Sequence, residues 1–537
     1  MKSLGIHKDP WHNTGACAIS GQDAAYEIAF LSEERLDRVK DSRAFPQKSI
    51  EACMRHTNVS KVSEFDAVVM DYIVTDEDWR LDQFKNPCST ENLLRDVSPE
   101  RIHLIDHHLC HAYATFMTSP FEEAAILIVD GRGSRKQTQS LFIGSGNSIT
   151  FVESTDSIGI GLLYSAMTKH IGFGSLQEGK TMGLAPYGVA EPPLNFAFDG
   201  VFDGIRTSYD TFCEDGSYEL KEAHAPLTTF GEQARGAYEV QQECERAIVH
   251  LAAHARKVTG MPHLCLSGGV ALNSVANNTL MKANIFDDVF VNPAASDTGI
   301  PLGAAYYGYY ALGKNKREAG EISPYLGPSY AQDRVQEAIK LFSGYSVVTE
   351  NALDRAIELL CENKIVGRFE GRSEMGPRAL GHRSILMSPL LAENKDVMNA
   401  RVKFREAFRP FAPIVMEEHS QDYFDIDRPC PYMLFVPDVL PEKQHVIPAV
   451  THIDGTARVQ TVTKAFNGHL YTILEAFRAK TDVPVLLNTS FNVAGEPIVE
   501  TPEDAIKCFL GTDIDALYIE DILLVKTQGR GNAVARS

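Results

Sequence analysis

Short apolar runs that stop at a polar residue and a glycine turn recur along the chain. AAILIVD (124–130) leads into Gly-Arg-Gly, HLCLS (263–267) into GGVALN, and DVFVN (288–292) into PAASDTGIPLGAA. Runs apolar at consecutive positions predict strands buried on both faces, and the turns that follow set polar groups at strand ends. That is the punctuation of an α/β protein whose ligands meet the loops beyond its strands. Farther on, KIVGRFEG (364–371) and VPVLLNTSF (483–491) predict two more strands, and TPEDAIKCFL (501–510) predicts a capped helix. Over residues 313–330 (GKNKREAGEISPYLGPSY), charge gives way to a Pro/Gly/Ser cluster that reads as a linker, so the expected domains are 1–330 and 331–537. No tandem repeat of fixed period is visible.

Composition narrows the functions. A chain of 537 residues exceeds one core and suggests two to four units at roughly 150 residues each. With 51 Lys+Arg against 71 Asp+Glu the net charge is −20, which argues against a nucleic-acid partner and requires that any anionic ligand be held locally. The ten cysteines form no CxxC pair, so neither a disulfide framework nor a thiolate zinc site is indicated and a reducing cytoplasm is expected. MKSLGIHKDP lacks an apolar signal core, and no apolar run approaches the roughly 20 residues that span a bilayer. The expectation is a soluble cytoplasmic protein with no membrane partner.

Three groups of residues carry candidate chemistry. GRSEMGPRALGHRSILMSP (371–389) sets Arg372, Arg378, His382 and Arg383 among glycines whose amides can approach a ligand closely, a grip for a small polyanion. Its alternative is a surface loop laced with salt bridges. In IDHHLCHAYATFM, His107 and His111 fall one turn apart if the segment is helical and can share a metal ion; Asp130 ends an apolar strand and Asp297 opens a probable helix. Taken singly, each has a plain reading as core packing or an N-cap. His103 and His108 read as outer or structural histidines. The loop Ser267–Asn273, with Gly268, Gly269 and Asn273, brings amides and a helix start toward a phosphate or ribose, as does Gly131-Arg132-Gly133, and Lys180 stands in EGKTMGLAPYG. In the last third, Lys403, Arg405 and Arg409, then Arg458, then Asn488, Ser490 and Asn492 supply cations and neutral donors from three segments; Arg405 alone reads as a solvated basic face.

In this order these motifs resemble the O-carbamoyltransferase family of nodulation-factor and antibiotic biosynthesis. The resemblance implies an N-terminal actin-like ATPase metal domain, as in the tRNA threonylcarbamoyl transferases, and a C-terminal YrdC-like α/β domain. It implies that carbamoyl phosphate and ATP form O-carbamoyladenylate, whose carbamoyl group passes to a hydroxyl of a small natural-product acceptor. His107, His111, Asp130 and Asp297 would ligate a divalent metal, Fe²⁺ by resemblance, while Mn²⁺ or Zn²⁺ suit the ligands equally on chemistry alone. Mg²⁺ would accompany ATP. Lys180, Gly131, Gly133, Gly268, Gly269 and Asn273 would contact nucleotide; Lys403, Arg409, Arg458 and Ser490 would hold carbamoyl phosphate, Lys403 and Arg458 as catalytic residues, with Asn488 a further ligand-binding residue; Arg372, Arg378 and Arg383 would serve ATP phosphates. His12, in His12-Asn13-Thr14-Gly15-Ala16, matches a His-Asp-x-Ser-Ala pattern and becomes the candidate general base. Asn13, Gly15 and Ser134 depart from the family pattern, which bears on the acceptor pocket. A homodimer is implied as well. Two alternatives remain: a tRNA threonylcarbamoyl-type transferase, and a non-catalytic nucleotide- and metal-binding regulator.

Overall fold

Where the apolar runs go is seen in the computed structural model, which describes residues 1–8, 12–72, 93–214, 219–221 and 224–527. The backbone divides into two compact units, Met1–Glu33 with Asp41–Ile322, and Glu34–Lys40 with Ser323–Ser537. The sequence reading set its division near residue 330 and had no signal for the excursion of residues 34–40 into the second unit. Residues 313–322 are not a free tether. Arg317 donates to the carbonyls of Phe116 (2.9 Å), Ser119 (2.7 Å) and Phe121 (2.8 Å), which ties that stretch into the first unit.

Among the described residues the first unit holds two five-stranded sheets and a small ribbon. Strands β1 (Lys2–His7), β2 (Gly15–Gln22), β3 (Ala25–Ser32), β4 (Ala67–Tyr72) and β5 (Ile102–Asp106) lie in the order β3-β2-β1-β4-β5. After them come β6 (Glu123–Val129), β7 (Gln139–Ser145), β8 (Ser148–Thr155), the ribbon strands β9 (Val201–Asp203) and β10 (Arg206–Ser208), then β11 (His263–Ser267) and β12 (Asp288–Val291). The second sheet runs β12-β11-β6-β7-β8. Counted from its own first strand, each sheet has the same order, with an antiparallel meander on one side and two parallel strands on the other. The unit is therefore duplicated in topology, although no repeat of residues announces it. As expected for strands covered on both faces, β6 is buried at every position after Glu123.

The helix His107–Met117 is buried at every residue but Leu109, which fits a sequence apolar around most of its circumference. Asp106 caps it by accepting from the Leu109 amide (3.2 Å). Against it packs the wholly buried helix Ile300–Tyr306. A Cβ on Gly303 would strike the Cys110 carbonyl, and one on Gly5 would strike that of Pro301, so backbone meets backbone where these elements cross.

In the second unit β13 (Tyr345–Val348), β14 (Val366–Phe369), β15 (Arg383–Met387), β16 (Ala412–Met416), β17 (Gln460–Val462), β18 (Val485–Ser490), β19 (Ala516–Ile519) and β20 (Ile522–Lys526) form one mixed sheet, ordered β13-β20-β19-β14-β15-β18-β16-β17. Both faces are covered. Helices Ala352–Cys361 and Gly468–Thr481 bury Ile357, Leu360, Leu474 and Phe477 on one side, while Gln332–Lys340 and Pro502–Gly511 bury Val335, Ile506 and Phe509 on the other. The predicted capping of residues 501–510 is a reciprocal box between Thr501 and Asp504. Gly303→Ala should lower stability by about 3 kcal/mol through overpacking of the two buried helices, read as a shift in the chemical denaturation midpoint.

Candidate functional site

The first unit brings four predicted residues to one point. His107 and His111 project from one face of the buried helix, Asp130 follows the end of β6, and Asp297 opens the short turn Asp297–Gly299 ahead of helix Ile300–Tyr306. Among the described residues, these four offer ligand atoms that all lie within 4.8 Å of one another. The Nε2 atoms of His107 and His111 stand 3.4 and 3.3 Å from Asp130 Oδ2, and 3.4 and 3.5 Å from Asp297 Oδ1. Both imidazoles are fully buried, and neither Nε2 has a hydrogen-bond partner.

The reason lies on the other side of each ring. His107 Nδ1 donates to Asp71 Oδ2 at 2.8 Å, and His111 Nδ1 faces Ser267 Oγ at 3.4 Å, whose own hydroxyl donates to the Ala295 carbonyl at 3.1 Å. With Nδ1 as donor, a neutral ring would turn its Nε2 lone pair toward carboxylate oxygens. Burial favours that neutral form, but the carboxylates of Asp130 and Asp297 favour the imidazolium and raise His111 above and His107 well above the ordinary histidine value, where a metal ion can take the place of the protons. A shared cation resolves that arrangement. Two ligands about 2.1 Å from one ion at a tetrahedral angle stand about 3.4 Å apart, the spacing seen here. The donor set of imidazole and carboxylate fits a divalent transition metal. Burial would raise the Asp130 carboxyl, but His107 and His111 hold it well below the usual carboxylate range, so it is a charged ligand near neutrality.

Asp71 was not singled out in the sequence, where it is one polar residue in the apolar strand AVVMDY. It is fully buried in β4 and also accepts from His7 Nδ1 at 2.7 Å. Burial would raise its carboxyl, yet His7 and His107 keep it well below the ordinary value. Ser134 accepts from the His107 amide at 2.9 Å and donates to the Tyr72 carbonyl. His12 is drawn to the same place, with Nδ1 3.9 Å from Asp297 Oδ2 and 2.9 Å from Asn13 Nδ2. His108 stays apart: Nδ1 pairs with Ser140 Oγ at 2.7 Å, and burial pushes the ring down to about 3, so it is a neutral core histidine. His103 lies in β5 outside the quartet.

Around the quartet the loop residues have defined tasks. Gly269 N donates to Asp130 Oδ1 at 2.9 Å, and Gly268 takes φ +94°, where a Cβ would strike the Val129 carbonyl. Gly133 N donates to the Gln137 carbonyl at 2.7 Å, and a Cβ on Gly131 would meet nothing. Asn273 caps helix Ser274–Lys282 through Ala276 N (3.0 Å) and donates to Gln241 Oε1 (2.9 Å), so its polar atoms serve the fold; the helix starts well beyond the glycine pair, not directly after it. Lys180 lies on helix Glu178–Leu184 with its ammonium 5.6 Å from the Phe173 ring centroid.

In the second unit the glycine-rich segment 371–389 is built differently from the amide grip expected of it. Its amides are spent internally. Glu374 Oε1 accepts from the amides of Leu380 (2.9 Å), His382 (2.8 Å) and Arg383 (3.0 Å), and Glu520 Oε1 accepts from Gly371 N (3.0 Å). Two of its arginines are spent as well. Fully buried Arg383 stacks on Phe369 and donates to the carbonyls of Glu370 (2.6 Å) and Gly371 (3.0 Å), while Arg372 donates to those of Leu326 (2.5 Å) and Gly327 (2.8 Å). Through these contacts both side chains hold the loop.

Arg378 remains, and it joins Arg405, Arg409 and Arg458. Burial, then Arg409, brings the Arg378 guanidinium down to about 10; burial, then Arg409, brings Arg405 down to about 9; burial, then Arg378, Arg405 and Arg409, lowers Arg458 well below its ordinary value. Arg405, read from sequence as a solvated face, instead lies over Phe411 with its guanidinium 4.4 Å from the ring centroid and donates to Asn399 Oδ1 (3.2 Å). The Nε atoms of Arg378 and Arg458 are buried with no partner. Buried Lys403 donates to the Ser490 carbonyl (2.8 Å) and to Asn492 Oδ1 (2.7 Å), and burial, then Arg405, lowers its pKa well below that of a free lysine. Asn488 donates to the Ala379 carbonyl at 2.9 Å, which joins β18 to the glycine-rich loop. Arg378, Arg405 and Arg458 are thus each depressed by a neighbouring guanidinium, while Arg409 is lowered by burial and has Glu406 at 3.8 Å.

Comparison with known proteins follows the same two halves. Residues 73–306 match the family described as Carbamoyltransferase N-terminus, and residues 357–526 match Carbamoyltransferase C-terminus. Nodulation protein NolNO of Sinorhizobium fredii is 38% identical over 534 residues, covering 93% of this chain and 77% of its own, and nodulation protein NolO of Bradyrhizobium diazoefficiens is 38% identical over 79% of each. The crystal structure of T. kodakarensis HypF aligns over 60% of this chain and 49% of its own with a TM-score of 0.37 and 14% identity, a likeness too slight to argue from. Asp71→Asn should lower metal affinity about 10- to 100-fold, because its amide cannot accept from both His7 and His107; a metal-binding titration of the intact protein checks this.

Proposed function

The chain belongs to the carbamoyltransferase family and is a carbamoyltransferase, and we propose that it performs ATP-dependent O-carbamoylation in two steps divided between its units. The observation that carries the reading is the gathering of Arg378, Arg405, Arg409 and Arg458, in which, beyond burial, Arg409 depresses Arg378 and Arg405 and those three depress Arg458. Four cations beside the Glu406 carboxylate, 3.8 Å from Arg409, make a local shortage of anionic charge. Carbamoyl phosphate fits that shortage. Its hydrolysis releases phosphate and leaves carbamate, a poor electrophile. A carbamate oxygen then displaces pyrophosphate from ATP, giving O-carbamoyladenylate. Lys403, Arg405, Arg409 and Arg458 would neutralise the phosphate as the charge shifts, at little reorganisation cost where contacts already hold them, Lys403 on Ser490 and Asn492 and Arg405 on Asn399 and Phe411. Arg378 is the candidate of the loop for the phosphates of ATP.

Transfer belongs to the first unit, whose duplicated sheet order supports the actin-like reading of its fold. His107, His111, Asp130 and Asp297 would hold a divalent cation, Fe²⁺ by family resemblance, which supplies Lewis acidity toward a phosphate or carbonyl oxygen. Gly268 and Gly269 would set their loop against the nucleotide. An acceptor hydroxyl attacks the carbamoyl carbon, the bond to AMP breaks, and the hydroxyl proton goes to His12. As it stands, His12 Nδ1 faces the Asn13 amide, so donation of a proton from Nδ1 to Asn13 requires that side chain to turn its carbonyl toward the ring; Asp297 Oδ2 is 3.9 Å away. The acceptor is a small-molecule alcohol in this reading.

With carbamoyl phosphate, ATP and Mg²⁺, the protein should release pyrophosphate, and AMP should follow once an alcohol is supplied. Arg458→Ala should cut pyrophosphate release by about 10²- to 10³-fold. His111→Ala should retain that release and lose transfer. No pyrophosphate from the parent protein, or equal loss of both half-reactions in both variants, would contradict the reading.

A further inference from the structure

The arginine-bearing loop of the second unit is fastened from an unexpected place in the sequence. Residues 34–40, ERLDRVK, leave the first unit after Glu33 and return to it at Asp41, yet their contacts are with the second unit. Glu33, the last residue before the excursion, is fixed by accepting from the Ser49 amide (2.8 Å) and hydroxyl (2.7 Å). Within the excursion Arg35 is 3% exposed, and its Nη2 donates to the Gly376 carbonyl at 3.2 Å. Arg38 takes φ +63° and donates to the carbonyls of Pro497 (2.8 Å) and Ile498 (2.7 Å), with Asp504 3.9 Å from its Nε.

These contacts matter because of where Gly376 lies. It takes φ +81° two residues before Arg378, in a stretch without regular structure. Its neighbours are clamped at the start of the loop by Arg383, through the carbonyls of Glu370 and Gly371, and at the end by Glu374, through three amides. In the middle Met375 N donates to the Pro324 carbonyl (2.8 Å), Asn488 donates to that of Ala379 (2.9 Å), and between them Arg35 Nη2 holds that of Gly376. Opposite it sits Glu500, fully buried, 3.9 Å from Arg383 Nη2. Burial would raise the Glu500 carboxyl, while Arg383 and Arg35 both favour its charged form. Burial prevails and the Glu500 carboxyl is raised above its ordinary value, while of the two guanidiniums that act on it Arg35 donates to the Gly376 carbonyl and Arg383 to those of Glu370 and Gly371.

We propose that Arg35 is a positioning residue for the anion pocket of the second unit: by holding the Gly376 carbonyl it aims Arg378, so residues 34–40 complete a site whose other residues all come from the last third of the chain. This rests on the reading of that pocket as a phosphate site. An arginine so used is not interchangeable with lysine, which lacks the planar fork.

The test measures inorganic phosphate affinity and divalent-metal affinity side by side on the full chain. Arg35→Ala should weaken phosphate binding about ten- to hundredfold through misplacement of Arg378 and leave metal binding unchanged, and added methylguanidinium should restore phosphate affinity. Phosphate affinity equal to that of the parent, or parallel loss of both ligands without rescue, would overturn the proposal. Should Arg35→Ala not fold, Arg35→Lys carries the same comparison, with reduced phosphate affinity and intact metal affinity expected, and parental phosphate affinity overturning it. A parent protein that binds no phosphate would overturn both this inference and the reading beneath it, whereas a parent that binds it as well as Arg35→Ala does would overturn this inference alone.

Discussion

Two places in this chain gather groups of one kind, carboxylates around two buried imidazoles in the first unit and four half-buried guanidiniums in the second, and the surrounding architecture holds them there. A buried charge or lone pair without a partner is costly, so folding would ordinarily eliminate it by pairing. Here it is defended. In the first unit, Asp71 and Ser267 occupy the Nδ1 atoms of two imidazoles and leave both Nε2 atoms facing carboxylates. In the second, Glu374 is engaged by three amides and Glu500 lies opposite Arg383, which leaves Glu406, 3.8 Å from Arg409, as the carboxylate paired with the guanidinium cluster among the described residues. One place calls for a cation and the other for an anion, which is the pair of demands made by chemistry on phosphorylated substrates and a metal.

Rigidity supports both. Helix His107–Met117 is wedged against helix Ile300–Tyr306 through Gly303, so the two histidines and Asp297 are held by elements that meet backbone to backbone. Asp130 needs its position at the end of β6, where Gly269 donates to it. The guanidiniums come from loops, and the structure compensates with internal clamps that tie each loop to its neighbour, including the one reaching from residues 34–40.

What could be read from the residues alone was the part governed by local pattern. Consecutive apolar runs became central strands, and His-x3-His became one face of a helix because a period of 3.6 residues puts positions four apart together. The metal quartet converges because strand ends and helix starts are where an α/β sheet gathers its polar side chains. What escaped was set by tertiary contact. Asp71 sits in a strand whose pattern speaks only of burial, and its partners lie 36 and 64 residues away. Arg405 resembled any exposed basic residue until Phe411 and three other arginines were placed around it. The glycine-rich loop was legible as a structured turn, but its sequence does not tell which of its amides and arginines face inward; Glu374 decides that. Nor does any composition shift mark residues 34–40 as belonging with the second unit.

The account stands on the claim that these two places bind ions of opposite sign. Anomalous diffraction from crystals grown with Mn²⁺ and tungstate tests it in one experiment. The account predicts a manganese peak within coordination distance of His107, His111, Asp130 and Asp297, and a tungsten peak among Arg378, Arg405, Arg409 and Arg458. Peaks confined to other surfaces, with both places empty, would contradict it.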